Sequence, residues 1–201
     1  MTSRIERHRK KIICIGTSTG GPRALQAVLS QLPKELDASI VIVQHMPPKF
    51  TKSLADRLNT LCEIDVKEAE DGELLKEGTA YIAPGGRHMT IVQIAGKAKV
   101  KVLDSPPVNG HRPSVDVMFN SIHHLINFDK IAVIMTGMGS DGAAGLIELK
   151  KENNVYAIAE SEETCIVYGM PNAAVATMKV DAIAKLDDIA ETILTYMKIR
   201  T

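Results

Sequence analysis

The chain has 201 residues, 45% of them hydrophobic and 24% charged, which is the profile of a globular protein long enough for one well-cored domain. Lys+Arg and Asp+Glu both number 24, so the formal net charge is zero, and the basic surplus that disposes a protein to bind nucleic acid is absent. Aromatic residues make up 3% with no Trp, which disfavours base- or sugar-stacking platforms. The 3 cysteines, Cys14, Cys62 and Cys165, are too scattered for a disulfide framework or zinc knuckle and read as reduced thiols in a cytoplasmic protein.

Residues 1–11, MTSRIERHRKK, read as an exposed, solvated basic tail or linker stub that could add a salt-sensitive attraction to acidic surfaces. No secretion-type apolar segment follows them, and no run approaches the roughly 20 apolar residues of a membrane span. From residue 12 the pattern alternates. Residues 12–15 form a continuous apolar strand run, followed by a Gly-rich turn and a helix carrying Ala24, Leu25, Val28, Leu29 and Leu32. Residues 39–43 are a second such run, followed by Pro47-Pro48 and a helix carrying Leu54, Leu58 and Leu61. Short strands are expected at 81–83, 89–94 and 98–103, the last two as a hairpin around Ala95-Gly96. A helix over 114–126 starts at Ser114 as N-cap with Asp116 in its first turn. Then come a strand at 131–135, a helix at 141–151, a strand at 156–158 and helices at 172–178 and 189–199. Continuous apolar strands between amphipathic helices imply one α/β domain over 12–201. It would be a doubly wound, mostly parallel sheet with helices on both faces and an antiparallel hairpin at one edge.

In such sheets the working groups collect where strands end and turn into helices. Gly16-Thr17-Ser18-Thr19-Gly20 follows the first strand, His45 the second, and Asp141 the glycine-rich segment after 131–135. The first segment matches G-x-S-x-G, which lifts a serine hydroxyl on a sharp turn beside the free N–H groups of a helix start. Alone it is a weak signal, because glycine-rich turns are common and Ser18 could simply cap the helix. A core histidine and a helix-capping aspartate are equally ordinary. Together at three strand ends, Ser18, His45 and Asp141 supply a nucleophile, a base and a carboxylate that orients the base. The dinucleotide fingerprint fails, since Ser18 stands at its middle glycine and the second strand ends in Gln44-His45. His45, His88, His111, His123, His124 and Asp141 lack metal-ligand spacing, and Cys165 reads as a packing residue; no metal or cofactor is expected.

The chain resembles the catalytic domain of the bacterial chemotaxis receptor methylesterase family, CheB. The resemblance rests on 15–21 (IGTSTGG), 44–51 (QHMPPKFT), 69–72 (AEDG), 81–85 (YIAPG), 106–116 (PPVNGHRPSVD), 136–142 (TGMGSDG) and 169–171 (GMP), in family order. It implies the doubly wound fold and a triad of Ser18, His45 and Asp141. It also implies an oxyanion site at Thr19 and the backbone N–H of Met138. Met46, Pro47, Phe50, His111, Arg112 and Met170 are expected to frame a substrate groove. The implied activity is hydrolysis of γ-glutamyl methyl esters on the cytoplasmic helices of methyl-accepting chemoreceptors, with deamidation of receptor glutamines as the same acyl chemistry. Ser140 stands where relatives often carry Asn. Relatives also carry a phospho-accepting receiver domain before the first strand, for which residues 1–11 are too few; phosphodonors are accordingly expected to leave the rate unchanged. The competing expectation is a non-catalytic Rossmann-like module that docks on receptors or binds a nucleotide.

Overall fold

The apolar runs become strands covered on both sides. The computed structural model describes residues 9–152 and 154–199. One sheet holds β1 (Lys10–Thr17), β2 (Ser39–Gln44), β3 (Asp65–Glu68), β4 (Thr79–Ile82), β7 (Phe128–Ile134), β8 (Val155–Glu160) and β9 (Ala182–Ala184), in the order β3-β4-β2-β1-β7-β8-β9. Every pairing in it is parallel. β5 (His88–Ile94) and β6 (Lys97–Leu103) form the expected antiparallel hairpin, which stands as its own two-stranded sheet against α3 (Val115–His123) instead of extending the large one.

Side chains alternate across β1. Ile13 and Ile15 face a core shared with α1 (Gly21–Leu29), α2 (Phe50–Asn59) and α6 (Ile189–Ile199). Ile12 and Cys14 face the other core, with α3, α4 (Ala143–Leu149), α5 (Met170–Ala176) and the hairpin. Ser114 caps α3 as expected, its hydroxyl accepting from Val117 N. No helix among the described residues is long and apolar enough to cross a membrane.

The basic tail differs from its expectation. β1 begins at Lys10, and Lys10 and Lys11 pair with Phe128 and Asp129 of β7. Lys11 is buried, its ammonium 2.9 Å from Asp37, and Arg9 is 3.3 Å from Asp129. Ladder pairing and the aliphatic lysine stem make a strand of what charge alone presents as a solvated stub. Arg4 and Arg7 lie outside the described residues.

Candidate active site

β1 has β2 on one side and β7 on the other, so the chain reverses its direction of travel across the sheet at β1. In doubly wound sheets that switch point opens a crevice at the strand carboxyl ends. Thr17 and Gln44, the last residues of β1 and β2, are paired, so Ser18 and His45 leave the sheet side by side. His45 N donates to Thr17 O at 3.1 Å, Gln44 Nε2 donates to Ser18 O at 2.9 Å, and Ser18 N donates to Thr136 O beyond β7 at 3.0 Å. Glycine is required beside the serine: a Cβ on Gly21 would lie 1.9 Å from Gln44 Oε1, and Gly20 has φ +83°.

Asp141 reaches the site from the third strand end. Its Oδ2 lies 2.7 Å from His45 Nε2 and accepts from Val115 N at 2.7 Å; its Oδ1 accepts from Ser114 Oγ at 2.8 Å and Asp116 N at 3.1 Å. The carboxylate thus sits on the first N–H groups of α3, where the helix dipole favours negative charge. It does not cap the helix it precedes: Gly142 is the N-cap of α4, and Asp116 accepts from Gly142 N at 2.9 Å and Gly145 N at 2.6 Å. The aspartate before α4 therefore serves α3, and the aspartate in α3 serves α4. Burial would raise the Asp141 pKa, but the hydrogen bonds from His45, Val115, Asp116 and Ser114 outweigh it and hold the pKa below the ordinary value. For Asp116 burial wins, aided by the negative charge of Asp141, and the pKa is raised. With Nε2 engaged by Asp141, Nδ1 is the ring nitrogen of His45 left to act as a base, and it is buried with no hydrogen-bond partner among the described residues.

The segment from Thr136 to Gly142 closes one side. Gly137 N donates to Val167 O at 3.0 Å, while Gly137 O accepts from Gly169 N and Met170 N at 3.0 and 2.8 Å. A Cβ on Gly137 would lie 2.4 Å from Met170 Sδ and 2.8 Å from Ser18 Cβ, so this loop runs against the serine. Met138, on that loop, is 71% exposed, and Thr19, next to Ser18 on the turn between β1 and α1, is exposed.

Of the groove residues named from the sequence, Phe50 and Pro47 are exposed, while Met46, His111 and Arg112 are half-buried. Met170 is a correction: it is fully buried beneath Gly137 and supports the loop, so it cannot line an open groove. An apolar residue at the start of a helix gives no sign in sequence of which side it takes. Sequence reasoning also missed Ser114 and Asp116 as partners of the Asp141 network. Ser114 was legible only as a helix cap, and the long-range contact is a product of α3 meeting α4. Among the described residues no group of three or more His, Cys, Asp and Glu is arranged to hold a metal. Burial and then Glu160 push the Cys165 thiol up to about 12, which suits a packing role better than nucleophilic chemistry.

Comparison with known proteins adds four findings. The family model described as CheB methylesterase matches residues 13–193. The chain is 53% identical over 196 residues to a protein-glutamate methylesterase/protein-glutamine glutaminase of Oceanobacillus iheyensis, covering 97% of this chain and 56% of that protein. It is 57% identical over 188 residues to the protein of the same name from Geobacillus kaustophilus, covering 94% of this chain and 54% of that one. The chain thus spans little more than half the length of these relatives. A crystal structure of the Thermotoga maritima CheB methylesterase catalytic domain superposes with a TM-score of 0.89 at 44% identity, covering 92% of this chain and 98% of that one.

Proposed function

Since the chain belongs to the CheB methylesterase family, we propose that the domain built on β1 from Lys10 onward is a catalytic domain that hydrolyses γ-glutamyl methyl esters on the cytoplasmic helices of chemoreceptors. The observation that carries this reading is the meeting of three strand ends: Ser18 and His45 leave paired residues, and Asp141 grips His45 Nε2 at 2.7 Å. The relatives' names supply the ester and amide substrates; the chemistry follows from the residues.

Ser18 Oγ attacks the side-chain carbonyl while His45 Nδ1 takes its proton. The oxyanion is held by donors at Thr19 and the Met138 N–H, at the start of α1 and beside it. The carbonyl–methoxy bond breaks, and His45 returns the proton to the leaving oxygen as methanol. Water then repeats the sequence on the acyl-enzyme, freeing Ser18 and leaving a glutamate. Asp141 fixes the tautomer and stabilises the imidazolium. A glutamine side chain passes through the same steps with ammonia leaving. Exposed Phe50, Pro47 and Met138, with half-buried Met46, supply apolar surface for an amphipathic receptor helix, and half-buried Arg112 adds a charge for its polar face. The receptors' cytoplasmic helices place this work in the cytoplasm.

The test is methanol release from methylated receptor membranes, with a serine-reactive phosphonate as a second probe. Wild-type protein should release methanol and be labelled at Ser18. Ser18→Ala should retain its fold and lose roughly 10³-fold or more of turnover, and Ser18→Ala/His45→Ala should be little worse, because triad members act as a unit. A folded protein that neither labels nor releases methanol would be a docking module instead.

A further inference from the structure

The turn that carries His111 fixes a ring in one place. Val108 and His111 exchange both backbone hydrogen bonds, at 3.0 and 2.9 Å, around Asn109 and Gly110, whose φ angles of 52° and 78° are left-handed. Asn-Gly is the dipeptide that such a two-residue turn favours. Asn109 Nδ2 donates to Asp116 Oδ2 at 3.0 Å, and Arg112 O accepts from Gly86 N at 3.1 Å, so the turn is tied down on both sides. From it the His111 imidazole lies flat on that of His45, with ring centroids 3.8 Å apart and planes within 4°.

We propose that His111 is a positioning residue for His45: it fixes the plane of the base and presents an uncharged ring face to the imidazolium formed each time His45 takes the Ser18 proton. The proposal rests on the triad reading above. Asp141 holds the His45 side chain at one ring nitrogen only, which leaves the ring free to swing about that bond; a flat partner removes the swing. A cation against the face of a neutral aromatic ring is attracted to it, more so where water is excluded, and the His45 side chain is 8% exposed. His111 suits the part because two stacked imidazoles tolerate one charge between them. Burial, and then the His45 charge, push its pKa below the ordinary histidine value, with Asp141 opposing. The neighbouring Arg112 guanidinium is held by Asp104 Oδ1 and Ser105 O, both at 3.0 Å.

Three variants separate stacking from filling. His111→Phe keeps a flat ring, His111→Leu fills the space without one, and His111→Ala does neither. The readouts are the rate of phosphonate labelling at Ser18, kcat and KM for methyl-ester hydrolysis, and the NMR ring-current shift of the His45 ring protons. His111→Phe should keep the upfield shift and at least half of the labelling rate and kcat. His111→Leu and His111→Ala should lose the shift and lower both rates about tenfold, with KM within about twofold, the scale of one cation–ring contact in a partly desolvated site. A His111→Leu protein as fast as wild type reduces His111 to packing and overturns the proposal. So does a His111→Phe protein as slow as His111→Ala, or a change confined to KM. A wild type that leaves Ser18 unlabelled overturns the triad and the role of His111 with it. Fast wild-type labelling without methanol release leaves the stack proposal standing and refutes only the substrate.

Discussion

Four donors converge on the Asp141 carboxylate, and they set what one substitution there should do. In Asp141→Asn one oxygen can still accept, but the amide nitrogen brings N–H groups toward His45 Nε2 and Val115 N. Turnover should fall by orders of magnitude, toward the ~10⁴ associated with a wrong histidine tautomer. The stranded Val115 N–H should cost about 1–3 kcal/mol. Because the folded-state pKa of Asp141 is lowered, its stabilisation is present above the unfolded value of about 3.9 and is lost as pH falls below it. Urea midpoints of wild type and Asp141→Asn should therefore differ at neutral pH and converge as pH falls below about 4. Asp116 is raised, so its contribution has the opposite sense: fully present below the unfolded value and lost as pH rises through the folded one. Asp116→Asn keeps an oxygen for Gly142 N and Gly145 N and removes a like charge beside Asp141, and the Asn109 amide turns over so that its oxygen accepts from the new amide nitrogen. It should unfold within about 1 kcal/mol of wild type at neutral pH and retain most of its turnover.

The reciprocal capping of α3 by Asp141 and α4 by Asp116 joins two elements that the sequence presents separately, and Gly137 shows how closely the loops pack around it. Gly137→Ala drives a methyl group into Met170 and Ser18. Displacement of the serine by even an ångström should lower turnover by about 10²-fold. Gly72→Ala is the control: no atom of the described residues would lie within 4 Å of the new methyl group, but φ is +82°, so it should cost about 1–2 kcal/mol and leave turnover intact. Thermal melts and initial rates on the two variants distinguish crowding from backbone strain. Strand edges were the least legible elements. β3 reads Asp65-Val66-Lys67-Glu68 and β9 Ala182-Ile183-Ala184, too polar or too short to give an apolar run; each is a strand because a buried parallel neighbour offers its ladder. At β1 the same force recruited Lys10 and Lys11 against their charge.

The large sheet separates two cores, and α6 and α3 lie on opposite sides of it. Ile193 and Ile122 are each fully buried, one in each core. Ile193→Val and Ile122→Val should each destabilise by about 0.5–1.5 kcal/mol. With the sheet between them and no shared partner, the double variant should equal the sum within about 0.5 kcal/mol. A larger departure in denaturant unfolding would mean that strain crosses the strands and that the two faces pack as one body.

The alternation of strand and helix, the doubly covered sheet, the strand ends from which Ser18, His45 and Asp141 emerge, and the family resemblance are all legible in the order of the residues. These are legible because apolar periodicity and glycine placement are local properties, and parallel strand order confines working groups to one edge. Which helix Asp141 caps, the engagement of the His45 ring through Nε2, the place of Met170 under Gly137 and the stacking of His111 on the base emerge once the elements pack. Each of these depends on where an element's side chains point after it docks against a distant one. That is fixed by helix rotation and loop geometry across separations such as the 96 residues between His45 and Asp141, which no local pattern encodes.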